Sequence, residues 1–221
     1  MADKANAPGV TPADRVVSLL GFASGSADVF AFIKFHGVFT SAMTGNTALL
    51  GLAVGQGHVL AAVRSLVALV GFSLGVVAGT ALYDAGAKRS VRRLLVVEVI
   101  CLAVVALLWA VLAYPVFHGP LFVLIVIAAA AMGVQSVVAR AVDLPGITTV
   151  VFTTTLTMIM MGLTRVALRP GSVQPITMRQ FGVLGWYGAG AAVSGFLAMA
   201  LPDAIALPAL AAAGGALAAM G

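Results

Sequence analysis

Apolar residues run through this chain in long unbroken blocks, without the short alternation of a half-buried strand. Eight blocks stand out, at about 16–33, 38–56, 65–83, 94–114, 121–139, 146–164, 181–201 and 204–220, each about 17 to 21 residues long. A helix rising 1.5 Å per residue needs roughly 20 such residues to cross the hydrocarbon core of a bilayer. The blocks are separated by helix breakers: His36-Gly37, Gly55-Gln56-Gly57, the polar stretch Asp84 to Arg93, Tyr114-Pro115, Gly119-Pro120, Pro145-Gly146, Arg169-Pro170-Gly171 and Pro202-Asp203. No separator is long enough for a soluble domain. The pattern predicts an all-α polytopic membrane protein, with 1–14 a short flexible polar tail and 15–221 a single transmembrane domain.

Composition sharpens this reading. The chain is 62% hydrophobic and 9% charged, against roughly 25% charged in soluble domains, which excludes a water-soluble fold. The tail MADKANAPGVTPAD lacks the basic start and apolar core of a cleaved signal peptide. The single Cys101 excludes an intramolecular disulfide framework and a cysteine-based zinc site. A net charge of +5 would suggest nucleic acid in a soluble protein. Here it reports topology, because basic residues collect on the cytoplasmic side of membrane proteins, and no nucleic-acid partner is expected.

Two halves of the chain resemble one another. GSADV from Gly25 to Val29 aligns with GVQSV from Gly133 to Val137, and Met43-Thr44-Gly45-Asn46-Thr47 aligns with Phe152-Thr153-Thr154-Thr155-Leu156. Arg64 then matches Arg179, and Gly75 and Gly79 match Gly190 and Ser194. The chain therefore reads as two diverged copies, about 15–114 and 120–220. Charge restricts how each copy crosses. With eight crossings the twelve Lys and Arg split six to six, against the positive-inside tendency; if 38–56 and 146–164 dip in and return, they split ten to two, with only Lys34 and Arg64 outside. A seven-span arrangement in which only 38–56 crosses gives nine to three, and the repeat favours treating both segments alike. The expected architecture is about six transmembrane helices plus two discontinuous or re-entrant segments, in two inverted repeats, with both termini cytoplasmic.

The polar residues inside the apolar blocks carry the candidate chemistry. Non-helical backbone at membrane depth survives only inside protein or against a wet cavity. The second block holds Thr40, Ser41, Thr44, Asn46 and Thr47, and the sixth holds Thr148, Thr149, Thr153, Thr154, Thr155 and Thr157. Such groups satisfy backbone, bind a solute, or bond back to carbonyls one turn earlier and merely assist packing. Asp28 lies about 18 Å along the first block, too deep for its short side chain to reach a headgroup region, and an acid there is a candidate for proton binding. The second copy puts Gln135 and Ser136 where the first has Ala27 and Asp28. Glu98, five residues beyond Arg93, reads as a partner of the basic loop. Gly71, Gly75 and Gly79 predict close approach of another helix, as do Gly190 and its neighbours Gly182, Gly185 and Gly188, and Trp186 and Tyr187 read as interfacial anchors or cavity-lining rings.

The run GSADVFAFIKFHGVFTSAMTGNTALLGLAV, from Gly25 to Val54, resembles the signature of the bacterial YoaK family, catalogued as a domain of unknown function. Its marks are an early Gly-x-x-Asp, a Gly-Val-Phe turn and a Met-Thr-Gly-Asn-Thr core. Met132 to Ser136 and Thr153 to Thr157 look like the family's second-half elements, departing at Ser136, where Asn is usual, and at Thr154, where Gly is usual. The resemblance covers about residues 15 to 200 and implies a bacterial inner-membrane protein of about six spans with suspected transport.

The functional expectation is a small-solute transporter or facilitator. Its site lies near the midplane among Asp28, Thr44, Asn46, Thr47, Gln135, Ser136, Thr153 and Thr155, with half-helix ends aiming partial charges at the solute. Proton coupling through Asp28, a passive channel and a non-transporting membrane scaffold are the further readings. An enzyme is not expected, since the spans hold no histidine, no HExxH motif and no pair of acids at catalytic spacing. No cofactor or metal is expected. Six spans in 221 residues leave little room for a sealed pathway, which favours a homodimer.

Overall fold

The structure, a computed structural model, describes residues 11–86, 90–112, 119–142, 152–168 and 175–220, the side chains of 152–154 and 175–179 excepted. Among these residues the regular secondary structure is helical: α1 (Pro12–Lys34), α2 (Met43–Gly55), α3 (Val59–Asp84), α4 (Ser90–Val111), α5 (Gly119–Ala141), α6 (Phe152–Leu168), α7 (Pro175–Ala200) and α8 (Leu207–Ala218). The first helix starts inside the expected polar tail because Thr11 and Asp14 form a capping box around Pro12. Thr11 Oγ1 accepts from the Asp14 N–H at 3.1 Å, and Asp14 Oδ2 accepts from the Thr11 N–H at 2.9 Å.

Packing of the apolar faces fixes the direction of each helix. One cluster joins Val16 and Leu20 of α1 to Leu94 and Leu95 of α4, Val134 and Val138 of α5 and Ala216 of α8. We call this the near end. A second cluster, at the far end, joins Phe30 and Phe35 to Val105 and Trp109, Leu121 to Ala128, and Ile205 and Ala206. Thus α1 and α4 run from near to far, while α5 and α8 run from far to near. Val183 packs on Val17, so α7 runs parallel to α1. Gly71, Gly75 and Gly79 meet α5 near Val126, Ala130 and Val134 in turn, so α3 runs parallel to α5. Arg15, Arg92, Arg93 and Arg140 adjoin the near-end cluster; Lys34, whose ammonium lies 5.6 Å from the Trp109 ring centre, belongs to the far end with Arg64.

The helix pairings are unchanged when α1–α4 are exchanged with α5–α8. Helix α1 packs on α7 and α8 as α5 packs on α3 and α4, α2 packs on α3 as α6 packs on α7, and α1 meets α5 as α4 meets α8. The tightest crossings follow the same rule. A Cβ on Gly25 would strike the backbone of Tyr187 and one on Gly190 that of Phe22, while a Cβ on Gly133 would strike Phe72 and one on Gly75 would strike Ala130.

Helices α1, α3, α4 and α5, and Gln180–Ala200 of α7, are long and apolar enough to cross a membrane, so this is a multi-pass membrane protein. The last block differs from expectation. Pro202 ends α7, residues 201–206 are spent in turns, and the remaining helix, α8, covers about 18 Å at 1.5 Å per residue. It joins the far-end cluster to the near-end one between α1 and α4, supplying only small faces at Ala209, Ala212, Ala213 and Ala216.

Candidate functional site

After α1 the chain turns back into the protein. His36 (φ 58°) and Gly37 (φ 85°) adopt left-handed backbone, and the Gly37 N–H donates to Phe32 O at 2.9 Å, closing the helix end. Residues 38–42 then run without helix to the start of α2, and Val38, Thr40 and Ser41 are buried. Helix α2 ends in a second turn of this kind, where Gly57 (φ 72°) sits past the cap and the His58 N–H donates to Ala53 O at 2.8 Å. His36 and Gly37 share a cavity of about 180 Å³ with Leu52, Gln56, His58 and Ser65. Residues 38–55 thus leave and rejoin the far end of the helix bundle.

Asp28 holds the deepest part of that path. It lies about 9 Å short of the end of α1, by helical rise, and is 1% exposed. Oδ1 accepts from the Thr40 N–H (2.8 Å), Thr40 Oγ1 (3.0 Å) and the Ser41 N–H (2.7 Å), and Oδ2 accepts from Ser41 Oγ (2.7 Å) and Tyr187 Oη (2.8 Å). Five donors offset the desolvation of a buried carboxylate, which an apolar pocket alone would not. The N-cap of α2, Ala42, has no side-chain cap of its own. Asp28 therefore sets its carboxyl oxygens against the backbone just before the N-terminus of α2, the end at which the helix dipole favours an acidic group.

Asn46 grips the same loop from the other side. Fully buried, it accepts from the Phe39 N–H through Oδ1 at 2.9 Å and donates from Nδ2 to Phe39 O at 2.7 Å, imitating one rung of a β-ladder. Gly45 is needed beside it, since a Cβ there would come within 3.0 Å of the Phe39 ring, which stacks on Phe32 with centroids 5.0 Å apart. Thr44 and Thr47 lie on the opposite, exposed face of α2, and Thr47 Oγ1 donates to Met43 O at 2.9 Å. Of the polar residues in this block, Thr40, Ser41 and Asn46 join Asp28 around the loop, and Thr44 and Thr47 point away from it.

The second half contributes different contacts. Gln135 is 1% exposed and donates from Nε2 to Leu20 O (2.9 Å) and Ser24 Oγ (2.7 Å), tying α5 to α1. Its Oε1 has no partner among the described residues. Ser136, the counterpart of Asp28, donates to Gly133 O of its own helix at 2.7 Å. Thr155 is buried one turn before Ile159 on α6. The Thr153 side chain, together with Thr148 and Thr149, lies outside the described residues. Gly71, Gly75 and Gly79 face α5 and Gly190 faces α1, whereas Gly182, Gly185 and Gly188 have nothing within 4 Å of an added Cβ, so the close approach expected of all four glycines of that block belongs to Gly190 alone.

Two residues acquire roles that their sequence context hid. Tyr187 serves as a partner of Asp28, 159 positions away in the chain; the alignment of Gly75 with Gly190 is the one signal that brings this part of α7 to a helix crossing. Glu98 does not pair with Arg92 or Arg93, the described basic residues of the loop it was expected to meet. It is fully buried, and neither carboxylate oxygen has a hydrogen-bond partner among the described residues, because it shares the inward face of α4 with Leu94, Leu95, Leu102 and Val105.

Residues 16–220 match the family described as "Protein of unknown function (DUF1275)". The "UPF0700 transmembrane protein YoaK" of Bacillus subtilis (strain 168) is 33% identical over 144 residues, 65% of this chain and 64% of that protein. The match spans a little under two thirds of the relative's own length. No solved structure matches the chain.

Proposed function

The chain belongs to the DUF1275 family, the YoaK family its motifs resemble, and on that premise we propose that this multi-pass membrane protein is a transporter or facilitator of a small solute. It works without catalysing a reaction, in the inner membrane of a bacterium, with both termini cytoplasmic. The observation that carries the reading is the re-entrant loop and half-helix held at depth by Asp28 and Asn46. Discontinuous segments of this kind surround the sites of transporters built from inverted repeats. The opposed directions of α1 and α5, and of α3 and α7, with the exchangeable helix pairings, support two inverted copies.

In this reading the loop 38–42 is the gate. The cavity at the far end receives the solute, and release of the loop from Asp28 opens the way inward between the halves. Asp28 then couples solute movement to protons by its grip: a proton on Oδ2 would compete with the Ser41 and Tyr187 hydroxyls and loosen the loop. Asp28→Asn should abolish proton-coupled uptake and leave counterflow intact. A homodimer completes the lipid-facing sides of α3 and α7, whose surfaces are largely exposed in one copy.

The test begins with purified protein in detergent, screened for thermal stabilisation by sugars, amino acids, carboxylates and inorganic ions, since a ligand of the folded state raises apparent stability with its concentration. Solutes that stabilise are followed into proteoliposomes. Saturable uptake lost in Asn46→Ala is the expected result. Flux linear in concentration would indicate a passive channel, and absence of both stabilisation and flux would leave a membrane scaffold.

A further inference from the structure

Glu98 stands apart from the loop and its clasp. It lies between two layers of packing: Leu94 and Leu95, one turn earlier, meet Leu20 of α1, Val134 and Val138 of α5 and Ala216 of α8, while Leu102, one turn later, meets Ala27, Ala131, Met132, Ala209 and Ala213. Gln135 of α5 belongs to the same level, because its neighbours Val134 and Met132 belong to those two layers and its Nε2 is spent on Leu20 and Ser24 of α1. Two unpartnered acceptors, the Glu98 carboxylate and Gln135 Oε1, are therefore enclosed at one level of the helix bundle.

We propose that Glu98 is a resident proton-binding site, protonated in the resting protein, with Gln135 Oε1 as the acceptor of its O–H. The argument is hydrogen-bond accounting. An ionised carboxylate and an amide oxygen are both acceptors and cannot satisfy each other, whereas one proton turns the first into a donor and answers both needs. An ionised carboxylate without partners in such a site would cost far more than a neutral one. Among the described residues no positive group pairs with it. The stretches packed around it, Val16 to Ala27, Ala131 to Val138 and Ala209 to Ala216, hold no titratable residue, and neither does Phe72 to Thr80 of α3. Cys101, one turn further along α4 and half-buried, is the titratable side chain nearest to it along that helix. The other carboxylate at depth, Asp28, is engaged by Thr40, Ser41 and Tyr187. A metal cation fits poorly, since one carboxylate and one amide offer too few oxygens for the six or more that hard divalent cations take, and the described residues contain no cluster of three metal-ligating side chains.

The proposal does not depend on transport, and its test needs no solute. Infrared spectra of the purified protein in lipid films at neutral pH are compared with those of Glu98→Gln and Asp28→Asn. The carbonyl stretch of a neutral carboxyl group should be present in the wild type, lost in E98Q and retained in D28N. Gln135→Leu removes the acceptor and should shift that band without abolishing it, which decides the question even if E98Q fails to fold. A wild-type signal that is absent, unchanged by E98Q or unmoved by Q135L would overturn the assignment.

Discussion

Removing the Asp28 carboxylate would leave the N–H groups of Thr40 and Ser41 buried without an acceptor, and each such orphan costs about 1–3 kcal/mol. Asp28→Ala should therefore lower the thermal stability of the purified protein more than Tyr187→Phe, which takes away one of five donors and costs about 1.5–3 kcal/mol at most. Comparable melting temperatures for the two variants would mean that the loop is not held through Asp28. A parallel contrast applies to α2. Asn46→Asp keeps the acceptor for the Phe39 N–H but turns the donor to Phe39 O into a second acceptor, so it should expose residues 36–42 to protease almost as fully as Asn46→Ala. Thr47→Ala, on the exposed face, should change stability by no more than about 0.5 kcal/mol. The motif reading put Asn46 and Thr47 into one site. Their separation follows from helix geometry, since adjacent residues on a helix face different directions, and the sequence gives no sign of which face turns inward.

Helices in a bilayer gain no hydrophobic drive from meeting each other, so the parallel pairs α1–α7 and α3–α5 depend on how closely their backbones approach. At Gly75 a methyl group would run into Ala130 backbone, and at Gly133 into Phe72 backbone, neither of which can move without parting the helices. Gly75→Ala and Gly133→Ala should each disrupt folding, read as loss of the monodisperse peak in detergent, whereas Gly188→Ala should be neutral because its Cβ meets open space. Gly79→Ala should fall between, since it presses mainly on a methyl of Val137 at 3.2 Å. Spacing alone made Gly71, Gly75 and Gly79 legible as a contact face, and here the alignment of the halves was a better guide than spacing: it matched Gly190 with Gly75 and left Gly182, Gly185 and Gly188 without counterparts. The eighth block was legible as apolar but not as short, because Pro202-Asp203 marks a break without saying how many residues the turn consumes.

At the scale of the whole molecule, charge and hydrogen bonding carry different information. The basic residues anticipated which helix ends lie together, and Arg15, Arg92, Arg93 and Arg140 do share one end, opposite Lys34 and Arg64. Glu98 escaped the same logic because nearness to Arg93 along the chain is not nearness across a helix: five residues is about 500° of turn at 3.6 residues per turn. The re-entrant path makes the sharpest prediction at this scale. In a Cys101→Ala background, His36→Cys and Gln56→Cys flank the loop and α2, and both positions are exposed. A membrane-impermeant thiol reagent should label both from one side of the membrane and label Arg92→Cys only from the other. If α2 crossed the bilayer, the two flanking cysteines would react from opposite sides, the ten-to-two charge split would collapse, and with it the argument that each half carries one segment returning to the side it came from. Labelling of both flanking positions from outside intact cells, with Arg92→Cys protected, would in addition put the near end in the cytoplasm, where α1 and α4 start and α8 ends.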